Sequence, residues 1–169
     1  MIENTEYLSE SQTIVLAILP IPSAILSILG SLTIIYVACE SRIKRKWTPY
    51  TRLLIGLSVS DIFFSLCVSI GNLLRPRETS LRAWAFGNEA TCDAMGFFNQ
   101  FSYSAIFYNA MLSFYFLLTA RFALKNSYIA KCIEPIMHFI SLGFPLVTAF
   151  VGSILGVYDE PTTGVSCFL

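Results

Sequence analysis

The chain has 169 residues, of which 55% are hydrophobic and only 13% charged, with 11 basic residues balancing 11 acidic ones. Soluble domains carry about 25% charged residues, so this composition and a mean hydropathy of +0.66 point to a membrane protein. Zero net charge, no basic tail and no converging nucleophile, base and orienting group exclude nucleic-acid binding and an enzyme, and no cofactor is expected.

Charge-free runs locate the elements. Asp, Glu, Lys and Arg are absent between Glu10 and Glu40, between Asp93 and Arg121, and between Glu134 and Asp159, while the run from Arg52 to Arg75 is broken only by Asp61. Each run exceeds the ~20 residues that a helix needs to cross ~30 Å of hydrocarbon. The prediction is an all-α, polytopic membrane helical bundle, residues 1–169 forming one transmembrane domain with helices at 13–38, 50–74, 93–120 and 133–157. Arg42, Lys44, Arg45, Lys46 and Arg52 flank the first connection and Arg121, Lys125 and Lys131 the third, against Arg75, Arg77 and Arg82 in the second. That asymmetry puts loops 39–49 and 121–132 in the cytoplasm and the N-terminus, loop 75–92 and tail 158–169 outside. The acidic first residues and the long apolar run after them do not suit a cleavable signal peptide.

In the first span, Pro20 and Pro22 favour a kink. Ser23, Ser27 and Ser31, with Gly30 beside them, suit a close helix crossing or an ion or water site. Cys39 and Cys132, at the inner ends of spans one and four, read as free thiols or lipidation sites. The connection from Ser41 to Trp47 reads as a topology signal attracted to anionic lipid, or as a contact for a cytoplasmic partner. Thr48-Pro49 suits a helix start.

Asp61 lies within the second span, where a carboxylate costs roughly 2.5–3.5 kcal/mol. It stands nine residues past Arg52, about 14 Å at the helical rise. The same depth falls near Ser31 on the first span and near Ser113 on the third, with Asn109 slightly deeper. Asp61, Ser31 and Ser113 are thus candidates to hold a cation such as sodium through oxygen ligands; a protonated, hydrogen-bonded Asp61 is the other reading.

Trp84 in the second connection reads as an interfacial anchor. Polar residues form two arcs on the third span: Asn99, Ser102, Tyr103, Asn109 and Ser113, and Gln100, Ser104, Tyr108, Tyr115 and Thr119. Two such stripes require a central place in a bundle. In the fourth span, Pro145 favours a kink and Gly152-xxx-Gly156 a close crossing. His138, read as having no second His and no acid nearby, is no metal site and is expected to be hydrogen-bonded or interfacial. Of five cysteines, Cys92 and Cys167 fall on the outer, oxidising side and form the credible disulfide.

An outer N-terminus, a basic first loop, Leu57-xxx-Asp61, Trp84-x-Phe86-Gly87, Cys92 opening span three and Cys167 after span four together resemble G protein-coupled receptors. The stretch from Cys92 to Gln100, with Tyr108 and Tyr115, is similar to the cAMP-receptor-like and secretin-like branches; Thr48-Pro49-Tyr50 and Glu134-Pro135 resemble microalgal receptor-like proteins. The resemblance implies a plasma-membrane signalling protein, sodium at Asp61, an extracellular ligand near Asn99, Gln100 and Tyr103, and a heterotrimeric G protein as partner near Arg121, Arg42, Lys44, Arg45 and Lys46. The chain departs from the pattern in several places. Ser31 stands where rhodopsin-like members have Asn, Ala120-Arg121-Phe122 is displaced by about a helical turn, span four lacks Trp, and Asn99 replaces an amine-binding Asp. Four spans match a partial seven-helix bundle, helices one to four, which needs its missing helices or oligomerisation for stability. A free-standing four-helix scaffold is the competing reading, and a transporter fragment the third.

Overall fold

The computed structural model describes residue 15 and residues 18–44, 48–71 and 88–158, with the backbone alone for residues 41–44 and 89. The described residues are helical apart from short turns, with no strand: α1 (Pro20–Lys44), α2 (Pro49–Gly71), α3 (Glu89–Ser102), α4 (Ser104–Ala120), a single turn α5 (Asn126–Tyr128), a π-helical turn (Ile129–Ile133) and α6 (Glu134–Leu155). They form four helices long and apolar enough to cross a membrane, Pro20–Glu40, Pro49–Gly71, Ala90–Ala120 and Asn126–Leu155. Their outward faces are apolar: Leu26, Phe139 and Ile154 are 71%, 76% and 82% exposed, a surface suited to lipid rather than water.

Local chemistry explains where these bounds depart from the predicted ones. α1 runs on to Lys44 because nothing between Cys39 and Lys44 breaks a helix, so the first connection is shorter than 39–49. α3 starts at Glu89 rather than 93. Asn88 caps it by accepting from the Thr91 amide at 2.9 Å, while the Asn88 amide donates back to Thr91 Oγ1 at 2.7 Å, a reciprocal cap with Thr in place of the usual Glu or Gln. The fourth span begins at Asn126 instead of 133, leaving residues 121–125 as the turn between spans three and four.

The third span is interrupted at Tyr103, which ends α3 and precedes α4. Ser102 Oγ donates to the Asn99 carbonyl at 2.6 Å, the back-bonding that bends helices. Within α6, Pro145 brings no N–H, so the Ser141 carbonyl has no donor four residues on; Thr148 Oγ1 donates to the Pro145 carbonyl at 2.9 Å.

Among the described residues α1 packs chiefly on α2, whereas α2, α3–α4 and α6 pack on one another. The core lies toward the Arg52 and Arg121 ends of the spans, where Leu53, Tyr108, Tyr115, Leu118, Ile129 and Met137 are buried together. Edge-on ring pairs carry the packing toward the other end, Phe63 with Phe98 and Phe101, and Phe97 with Phe150.

At that other end Gly152 does not serve a helix crossing. A Cβ there would lie 2.6 Å from the Tyr158 hydroxyl, and one on Gly96 would lie 2.5 Å from the Tyr158 ring, while Gly156 has nothing within 4 Å. Gly156 is the left-handed cap of α6 (φ 60), which turns the chain back and seats Tyr158 between α3 and α6. The buried Tyr158 hydroxyl donates to the Ala149 carbonyl at 2.8 Å, and burial raises its pKa, so it remains a donor through the neutral range. Gly96→Ala and Gly152→Ala are each expected to destabilise the fold by roughly 1–3 kcal/mol through overpacking, read as a lower thermal midpoint in detergent. Gly30→Ala, with nothing within 4 Å of the new methyl, is expected not to lower it.

Candidate functional site

Two polar clusters lie between the spans. The first is centred on Asp61. The serines of α1 recur every four residues, so Ser27 and Ser31 share one helix face one turn apart. Ser27 Oγ and Ser31 Oγ both donate to Asp61 Oδ2, at 2.6 and 2.7 Å. Ser31 is buried and Asp61 partly so. Two hydroxyl donors on one carboxyl oxygen join α1 to α2 and offset part of the cost of placing an acid among apolar helices. Ser23 is exposed, so the stripe serves Asp61 through two members, not three.

Ser113 is not brought to Asp61. It is exposed and donates to the Asn109 carbonyl of its own helix at 3.1 Å; Asn109 is exposed too. Of the two polar arcs on the third span, Ser104, Tyr108 and Tyr115 point into the packed interior, whereas Asn109 and Ser113 lie on the uncovered face of α4. Among the described residues, no group of three or more His, Cys, Asp and Glu side chains is placed to hold a metal. What is assembled at Asp61 is a carboxylate with two hydroxyls.

The second cluster stands where α2, α4 and α6 meet. Glu134, only 5% exposed, receives Arg52 in a two-pronged pair: Nε on Oε1 and Nη2 on Oε2. This geometry is the strongest available to a guanidinium and a carboxylate. One turn on, His138 Nε2 is 3.6 Å from the same Oε1, and His138 Nδ1 is 2.9 Å from the Tyr108 hydroxyl. Gly56 makes room for that tyrosine, since a Cβ there would meet its ring at 2.6 Å. His138 is hydrogen-bonded, as expected, but the expectation of no acid near it is corrected: Glu134, four residues earlier, lies on the same helix face.

α6 continues the pattern along its length. Thr148 accepts from Gln100 Nε2 at 3.1 Å, so Glu134, His138 and Thr148 tie α6 to α2, α4 and α3 in turn. Between them, fully buried Ser141 Oγ is the one buried side-chain oxygen or nitrogen without a hydrogen-bond partner among the described residues.

The three residues expected to face a ligand lie in different settings. Asn99 is buried, with its Nδ2 near Gly71 of α2; Gln100 is engaged by Thr148; and Tyr103 is half-buried at the break in the third span. Cys92 is buried and disulfide-bonded, while Cys39, Cys67 and Cys132 are free; Cys167, its expected partner, lies outside the described residues. Of the basic residues expected at a cytoplasmic contact, Arg121 is exposed at the end of α4. Arg42 and Lys44 lie on the last turn of α1 with undescribed side chains, and Arg45 and Lys46 lie outside the described residues. Comparison with protein-family models, with curated proteins and with solved structures finds no match to this chain.

Arg52 is about a third exposed, but removing it strands the buried Glu134 carboxylate. Arg52→Ala is therefore expected to destabilise the fold by roughly 3–5 kcal/mol, and Arg52→Met with Glu134→Leu by distinctly less than that. Thermal unfolding of the three proteins in detergent checks this; a double variant as unstable as the single one would sink it.

Proposed function

We propose that this chain is the first four helices of a G protein-coupled receptor-like signalling protein of the plasma membrane, with its ligand side outside. The observation that carries the reading is the junction of the first two spans. Leu57 and Asp61 match the helix-two signature of rhodopsin-like receptors, and Ser31, standing where those receptors have Asn on helix one, reaches Asp61 at 2.7 Å. The bonded Cys92 at the start of the third span supports the same reading.

In this reading Asp61 with Ser27 and Ser31 forms the sodium-binding position, without Ser113. Asn99, Gln100 and Tyr103 belong to the wall beneath the ligand, and the basic connections meet a heterotrimeric G protein. Asn109 and Ser113 present polar groups on an apolar span, so that face is the one that further helices of the same bundle cover.

Transcripts read past the codon for Leu169 are expected to encode three more apolar spans in frame. An immediate stop would favour a free-standing four-helix association protein instead. Mass mapping under non-reducing conditions is expected to find Cys92 joined to Cys167, and free thiols at both would remove that part of the resemblance. Sodium is expected to raise the thermal midpoint of the protein relative to a large organic cation at equal ionic strength. Asp61→Asn should abolish the difference.

A further inference from the structure

The segment from Arg121 to Lys131, which joins the third span to the fourth, carries three exposed cations, Arg121, Lys125 and Lys131, and two exposed aromatic rings, Phe122 and Tyr128. No acidic residue occurs between Asp93 and Glu134, and Glu134 is buried and engaged by Arg52. The positive charge of this surface is therefore not balanced within its own stretch of chain. The reversal is also held close to the helix ends: residues 121–125 separate α4 from α5, and the Leu124 amide donates back to the Leu118 carbonyl at 3.2 Å.

The length of the fourth span sets the depth of this surface. Asn126–Leu155 has 30 residues, about 45 Å at the helical rise, against ~30 Å of hydrocarbon and ~40–45 Å of bilayer with its headgroups. At the far end Ile154 and Leu155 are apolar and exposed, so hydrocarbon reaches that last turn, and the excess of about 15 Å falls at the Asn126 end. With the apolar stretch in a bilayer, Tyr128 and Lys131 thus stand among headgroups. The exposed residues follow the same order, Phe139 and Ile136 first, then Lys131 and Tyr128. Apolar surface gives way to a cation and an aromatic ring, as at a membrane interface.

We propose that the segment from Arg121 to Lys131 is a docking surface for anionic phospholipid: its three cations hold headgroups of the surrounding leaflet, and Phe122 and Tyr128 seat between them. The orientation predicted from the basic connections puts this end at the cytoplasmic leaflet, which carries the anionic lipids. An acidic protein would have to enter the headgroup layer to meet Tyr128 and Lys131, whereas lipid phosphates are already at that depth. The inference rests on the four spans lying in a bilayer. It goes beyond the receptor reading, since it needs neither a ligand nor a G protein.

The purified full chain in detergent, titrated with phosphatidylserine or phosphatidylcholine and followed by native mass spectrometry, is expected to bind phosphatidylserine more tightly. Combining Arg121→Gln, Lys125→Gln and Lys131→Gln is expected to weaken phosphatidylserine binding roughly fivefold for each charge removed and to leave phosphatidylcholine binding unchanged. A phosphatidylserine with a photoreactive headgroup, used on the unaltered chain in phosphatidylcholine nanodiscs, keeps the test independent of how the variant folds. Its crosslinks are expected within residues 121–131 and are displaced by excess phosphatidylserine but not by phosphatidylcholine. Equal binding of the two lipids, a triple variant that keeps the whole preference, or crosslinks confined to the connection after α1 would overturn the proposal. Capture of a polyglutamate peptide with no preference between the lipids would assign the surface to an acidic protein instead. Alkaline extraction of membranes tests the premise separately, and a chain released into the wash would remove both the spans and this surface.

Discussion

A carboxylate taken out of water in an apolar bundle has to find its compensation within the protein, and at Glu134 that compensation is Arg52. The pair joins residues 82 positions apart, so it closes a long loop of the chain with a contact whose geometry is fixed in two directions. Loss of Arg52 leaves the Glu134 carboxylate, whose side chain is only 6% exposed, buried without its counter-charge. The nearby apolar core and the charged pair therefore depend on each other: packing excludes water from Glu134, and the pair sets which faces of α2 and α6 the packing brings together.

From that anchor, polar contacts run along one face of α6, through His138 and Tyr108 to Thr148 and Gln100, and end at the wedged ring of Tyr158. Such contacts give an apolar bundle a register. Leucine and phenylalanine faces can slide past one another at little cost between helices in lipid, whereas each hydrogen bond between side chains fixes one depth against another. α1 is held differently. It packs chiefly on α2, and its register is set by two serines on one carboxylate oxygen.

The spans were legible because charge is scarce in this chain, and Asp61 stood out for the same reason. Counting depth from the charged ends led to Ser31, but it pointed to Ser113 as readily, because depth carries no information about which way a helix is turned. Ser27, one turn farther out, was signalled by the four-residue serine spacing. The ion pair was harder to see. Arg52 and Glu134 mark the limits of charge-free runs, and residues read as boundaries are not naturally read as partners. The spacing of Glu134 and His138 was the available signal. The Asn88 cap lacked the usual Glu or Gln, and the Gly152-xxx-Gly156 spacing resembled a helix crossing although its glycines serve a tyrosine ring and a helix end.

The turn that precedes Glu134 has a consequence for how this chain tolerates change. Ile129–Ile133 is wound as a π-helix, one residue more per turn than an α-helix would use. It follows a tight reversal in which Ala123 takes a left-handed conformation and the Leu124 amide closes on the Leu118 carbonyl at 3.2 Å. Such a widened turn holds a spare residue. A one-residue deletion there can be absorbed by rewinding to α-helix, with residues 126–128 rotating while Glu134, His138 and Thr148 keep their places. A deletion three residues further along would instead rotate Glu134 about 100° from His138 and part it from Arg52. The junction of the two windings is thus a boundary in mutational tolerance, with a one-residue deletion accommodated before Glu134 and disruptive after it.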